Sequence, residues 1–176
     1  MGAGTEDETA ERIRAVALEL FATVGYGSSN VDEVASKAEV GVATLYRRWD
    51  DKKALANDVM SRALTAMDSI HLELENDAPD ARFHELWTRF WTWGQDHKYE
   101  FLFIEASLNA AFLSDENKAH KAQMNETGAE LIASLGLTAP FDLIHSMIVG
   151  TIAGLLRNEA TIDVEATGER ILRALQ

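Results

Sequence analysis

Residues 41–53 read Gly-Val-Ala-Thr-Leu-Tyr-Arg-Arg-Trp-Asp-Asp-Lys-Lys. Small and short polar side chains at Gly41, Val42, Ala43 and Thr44 let a backbone approach the floor of a DNA major groove. Thr44 can donate or accept at a base edge or a phosphate, and Val42 and Ala43 suit a thymine methyl group. Tyr46 offers a phenol at the groove rim, and Arg47, Arg48 and Lys52 offer cations to phosphates. Upstream, Ser29 and Asn30 start a helix where a hydroxyl and backbone N–H groups can meet a further phosphate.

Such a set needs elements that hold it rigidly. Ile13, Val16, Ala17, Leu20, Phe21 and Val24 recur in steps of three and four, the helical period, and Gly25-Tyr26-Gly27 ends that run. Asn30 with Glu33 three residues later marks a second helix start, and Val31, Val34, Ala35 and Ala38 share one face. Glu39-Val40-Gly41 interrupts it, a third short helix runs over 42–49, and Asp51 caps a fourth. Leu45, Val34, Val40 and Trp49 read as core. Two short helices joined by a tight turn behind a longer one make a helix-turn-helix.

The fourth helix keeps helical spacing from Leu55 to Leu74, which predicts some 24 residues and about 36 Å. Further helices are expected over roughly 80–96, 98–112, 115–135, 139–157 and 163–175. With two prolines in 176 residues and no alternating stretch, the fold class is all-α. The expected organisation is a DNA-binding head over 1–51 and a helical effector-binding and dimerisation body over 52–176.

Composition removes several classes of function. Cysteine is absent, which excludes disulfide scaffolds, thiolate metal sites and cysteine nucleophiles. No phosphate-binding glycine loop, GxSxG elbow or HExxH pair is present, and the five histidines lack metal-ligand spacing, so neither an enzyme nor a cofactor is expected. No apolar run approaches the roughly 18 residues of a membrane span, and the N-terminus lacks a basic-then-apolar leader. The expectation is a cytoplasmic protein without a membrane partner. The net charge of −13 opposes nucleic-acid binding overall, yet residues 41–53 carry +2. Acid on the far body is screened beyond about 8 Å at physiological salt. Modest affinity for DNA with little nonspecific binding follows.

Residues 12–56 resemble the TetR family of transcriptional regulators. The resemblance rests on Leu20-Phe21, Gly25-Tyr26, Val31, Val34-Ala35, Ala38, Val40, Thr44-Leu45-Tyr46, Arg47-Arg48-Trp49, Lys52 and Leu55 at the family's spacings. It implies phosphate contacts from Ser29 or Asn30, Tyr46 and Lys52, and base reading by Val42, Ala43 and Thr44, with Arg47 and Arg48 in either role. It implies a repressor, paired on a palindromic operator and released by a small effector. Glu39 departs from the glycine frequent in the family's turn; a left-handed non-glycine residue there costs on the order of 1 kcal/mol. Gly41 replaces a serine cap, and no basic arm precedes the first helix.

Nine of the fourteen aromatic residues lie between 83 and 112. That concentration suits a pocket for a flat or greasy effector, with Trp87, Phe90, Trp91 and Asn109 as candidate walls and His145 as a polar contact. An aromatic core without a ligand is the alternative, with His145 as a core histidine. The stripe Ile144, Ile148, Ile152 and Leu155, with Gly150 and Gly154 four apart, allows close helix approach. Residues 139–157 and 163–175 are thus expected to form a four-helix interface across a two-fold axis. The competing function is a helical small-molecule-binding or interaction protein with little DNA binding.

Overall fold

The computed structural model describes residues 3–71, 74–107, 109–137 and 139–176. Among them are nine α-helices and no strand: α1 (Ala3–Thr23), α2 (Val31–Lys37), α3 (Val42–Tyr46), α4 (Lys52–Met67), α5 (Pro79–Asp96), α6 (Lys98–Ala106), α7 (Asp115–Ala133), α8 (Phe141–Arg157) and α9 (Val164–Leu175). No helix among the described residues is long and apolar enough to cross a membrane.

Side-chain caps set four of the helix starts. The Asn30 side chain accepts from the Glu33 amide at 2.7 Å, and Asp51 does the same for Ala54 at 2.7 Å. Ser114 and Asp163 cap α7 and α9 in the same way. Glu39 adopts the left-handed conformation at φ 54°, which bends the chain between α2 and α3.

Three expected helices end early, α3 at Tyr46 rather than 49 and two others by more. α4 stops after 16 residues, about 24 Å, and passes into a 3₁₀ turn over Asp68–His71. Ser69 donates to the Ala66 carbonyl at 2.9 Å, the local side-chain competition that weakens a helical ladder. Residues 72–73 of the longer expected helix lie outside the described residues. α6 ends at Ala106 rather than 112. Asn57 of α4 draws the following chain away: its amide donates to the Phe112 carbonyl at 2.9 Å, and its oxygen accepts from the Ser114 amide at 2.7 Å. Buried Asn117 donates to the Asn57 carbonyl at 2.9 Å and closes the knot.

One apolar core runs through the chain. α1 packs on α6 and α4, and α4 packs on α6 and α7, so the first helix is seated on the body. α5 meets α8 and α9, and α6 meets α8. From α5 the Glu85 carboxylate accepts from the amides of Glu75 and Asn76 in the preceding connection and pairs with Arg89. Those bonds, the Glu75 amide first, hold its carboxyl below the usual range.

Candidate nucleic-acid interface and effector cavity

The head is held together from α1. Arg12 donates to the Ala38 carbonyl at 2.8 Å and ties down the end of α2. Arg14 donates to Asp58 at 2.8 Å, the Trp49 indole donates to the same carboxylate at 2.8 Å, and the Arg14 guanidinium lies 5.3 Å from the Trp49 ring. Leu45 is fully buried, which fixes which face of α3 turns outward.

That outward face carries Ala43, Tyr46, Arg47 and Arg48, all exposed, with Val42 and Thr44 half-buried beside them. Tyr46 is 48% exposed, unusual for a phenol in a small core and suited to a partner surface. Arg48 lies 3.4 Å from Asp7 of α1 and over the Trp49 ring at 5.9 Å, so its charge is partly answered within the chain. Of the other candidate phosphate groups, Ser29 and Lys52 are turned inward, whereas Asn30 stays exposed. Ser29 is buried, its hydroxyl donating to the Tyr26 carbonyl at 3.2 Å, and the Asn30 oxygen is engaged in capping. Lys52 donates to the carbonyls of Tyr26 and Ser29, and its ammonium sits 4.3 Å from the Tyr26 ring. Burial pushes the Lys52 amine below its ordinary value. Lys52 thus pins the loop between α1 and α2. The reason was not visible locally, because the carbonyl it grips belongs to a residue 26 positions away.

Tyr26 also stacks on Phe112 of the α6–α7 turn, with ring centroids 4.0 Å apart. Phe112 stacks on Phe103, and Phe103 lies against Phe21. Phe103 and Phe112 of the 83–112 cluster therefore join head to body.

A cavity of about 60 Å³ lies within the body, bounded by α4 to α8. Its walls include Leu64, Leu86, Phe101, Met124 and Ile148, and its polar groups are Glu105, Lys121, Asn125 and His145. Of the expected pocket residues, Phe90 and His145 are on its walls. Trp87 is buried elsewhere: its indole donates to the Val164 carbonyl at 2.7 Å and packs on Gly168 of α9. Trp91 is buried outside those walls, and Asn109 lies exposed in the turn that follows the shortened α6. Sequence reading placed a helix over 115–135 but missed α7 as a wall of the cavity. Lys121, Asn125, Gly128 and Ile132 share one face at steps of three and four, but three of the four are not apolar, which hides the stripe.

Residues 13–59 match the sequence model described as bacterial regulatory proteins, tetR family. The whole chain is similar to a TetR family transcription regulator from Marinobacter aquaeolei VT8, at 18% identity and a TM-score of 0.73, with 98% of each chain covered. It is also similar to a bacterial regulatory protein in the tetR family from Rhodococcus RHA1, at 21% identity and a TM-score of 0.70, with 95% of each chain covered. A third likeness is to the ketosteroid transcriptional regulator KstR2 of Mycobacterium tuberculosis, at 14% identity and a TM-score of 0.68, covering 94% of this chain and 92% of that one. No curated protein matches by sequence. Residues 13–59 thus match the sequence pattern of the tetR family of bacterial regulatory proteins, and the chain as a whole shares its fold with solved transcription regulators of that family.

Proposed function

We propose that this chain is a dimeric, sequence-specific transcriptional repressor, not an enzyme, released from a palindromic operator by a small apolar or aromatic effector held in the body cavity. The observation that carries the reading is α3: a buried Leu45 aims Ala43, Tyr46, Arg47 and Arg48 outward within a segment matched by the family's head. α4 supplies the link to the effector. Its first residue, Lys52, grips the head loop, and Leu64 and Met67 near its other end line the cavity. An effector that prefers one setting of α4 changes the spacing of two recognition helices, which DNA needs near 34–36 Å.

Selection of bound duplexes from a random pool, followed by titration at several salt concentrations, tests this. Tyr46→Ala and Arg47→Ala are each expected to weaken the selected site by roughly 1–3 kcal/mol, about tenfold to a hundredfold, with the fold unchanged. A second reading, a helical small-molecule-binding protein with little DNA binding, is favoured by the Asp7 carboxylate beside Arg48 and the inward Ser29 and Lys52. It prevails should no duplex be retained.

Pairing is proposed through α8 and α9. Leu143 is 49% exposed, and the space around Gly150 and Gly154 of α8 is open. A partner helix brought against that face buries apolar surface a monomer leaves wet. Leu143→Glu is expected to shift sedimentation equilibrium from dimer to monomer by tenfold or more in dissociation constant, while circular dichroism stays unchanged.

A further inference from the structure

We propose that Asp7 is a built-in rival to DNA phosphate for Arg48, so that the head grips a duplex only by taking that guanidinium from the chain's own carboxylate. This rests on the reading of α3 as the DNA-facing helix. A guanidinium just past the end of α3 matches a phosphate both in charge and in its fork of donors. Arg48 already has an anion in reach. Its Nη2 lies 3.4 Å from Asp7 Oδ1, near the start of α1 and 41 residues upstream. Its guanidinium also lies 5.9 Å from the Trp49 ring, and that ring is anchored, being buried with its indole donating to Asp58 of α4 at 2.8 Å. Asp7 and the ring thus hold Arg48 from two different helices.

The neighbouring charges on this side of α1 serve the fold. Glu11, one turn on from Asp7, pairs with Arg14 and Arg62, and Arg14 also holds Asp58. Asp7 stands apart from them. Its side chain is 80% exposed and that of Arg48 is 40% exposed, so both lie at the surface a duplex would approach. An exposed pair of this kind adds little to stability, so the carboxylate is not needed to hold the head together. It matters when a phosphate arrives, because two anions then repel each other across one guanidinium. Removing the Asp7 charge leaves Arg48 to the phosphate alone. That adds about one cation to the number that sets the salt dependence of binding, a change of slope of about 0.9. In a chain of net charge −13, Asp7 is the carboxylate placed to act within the screening distance of the DNA-facing residues.

Fluorescence anisotropy of the full chain, titrated onto a mixed-sequence duplex and onto the duplex selected from a random pool, tests this at 50 to 200 mM salt. Asp7→Asn keeps the size of the side chain and removes its charge. It is expected to bind both duplexes about three- to fivefold more tightly at the lowest salt, with log affinity falling more steeply against log salt by about 0.9. In an Arg48→Ala background the same substitution is expected to change affinity by less than twofold. Unchanged or weaker binding by Asp7→Asn, or an equal gain with and without Arg48, overturns the proposal and leaves the DNA-facing reading of α3 in place. Retention of no duplex by either the parent or Asp7→Asn sinks that reading itself, and the proposal with it.

Discussion

Trp87→Ala is expected to destabilise the body by about 3–5 kcal/mol, the range for removing a large buried aromatic side chain. Trp87 is fully buried, and its indole N–H satisfies the Val164 carbonyl in the first turn of α9. Its ring lies so close to α9 that a Cβ built on Gly168 meets Trp87 Cδ1 at 2.7 Å. Truncation therefore opens a cavity, removes that hydrogen bond and unseats the helix that carries Val164, Ile171, Leu172 and Leu175. Denaturant unfolding measures the loss. Gly168→Ala probes the same joint from the other side: it crowds the ring and is expected to cost about 1–3 kcal/mol. A Gly168→Ala variant as stable as the parent contradicts this close packing.

The second large effect is expected at Leu45. α3 has only five residues, too few to hold a helix on local hydrogen bonds, so its tertiary seat holds it. Leu45 is the buried residue of that helix, and its carbonyl also receives the Arg48 and Trp49 amides. Leu45→Ala is expected to cost about 2–5 kcal/mol. Hydrogen exchange is expected to quicken over 31–49, and duplex binding to collapse, while α5, α8 and α9 stay protected. Tyr46→Ala, one residue on, removes an exposed ring and is expected to spare stability. The pair separates loss of a scaffold from loss of a contact. Exchange unchanged over 31–49 in Leu45→Ala would contradict the seat described for α3.

Features governed by near neighbours were legible in the residues. The buried faces of α1 and α2, the caps at Asn30 and Asp51 and the outward set on α3 all depend on spacing within a few positions. The left-handed Glu39 was foreseeable only through the family resemblance, which puts a glycine in that turn. Features set by distant partners were not. The end of α6 depends on Asn57, some fifty residues upstream, and the inward turn of Lys52 depends on the carbonyls of an earlier loop. The aromatic cluster was visible as a concentration, but its division between Trp87 on α9, Phe112 on Tyr26 and Phe90 on the cavity is decided by tertiary packing.

Surface connections ordinarily accept insertions and deletions with little penalty. The turn between α6 and α7 forms an exception. It is gripped by Asn57 from one side, and its Phe112 ring rests on Tyr26 on the other. Adding or removing a residue there would slide the ring off the loop that feeds the helix-turn-helix. The turn works as a keystone rather than a spacer, and its length is as constrained as the interior of a helix.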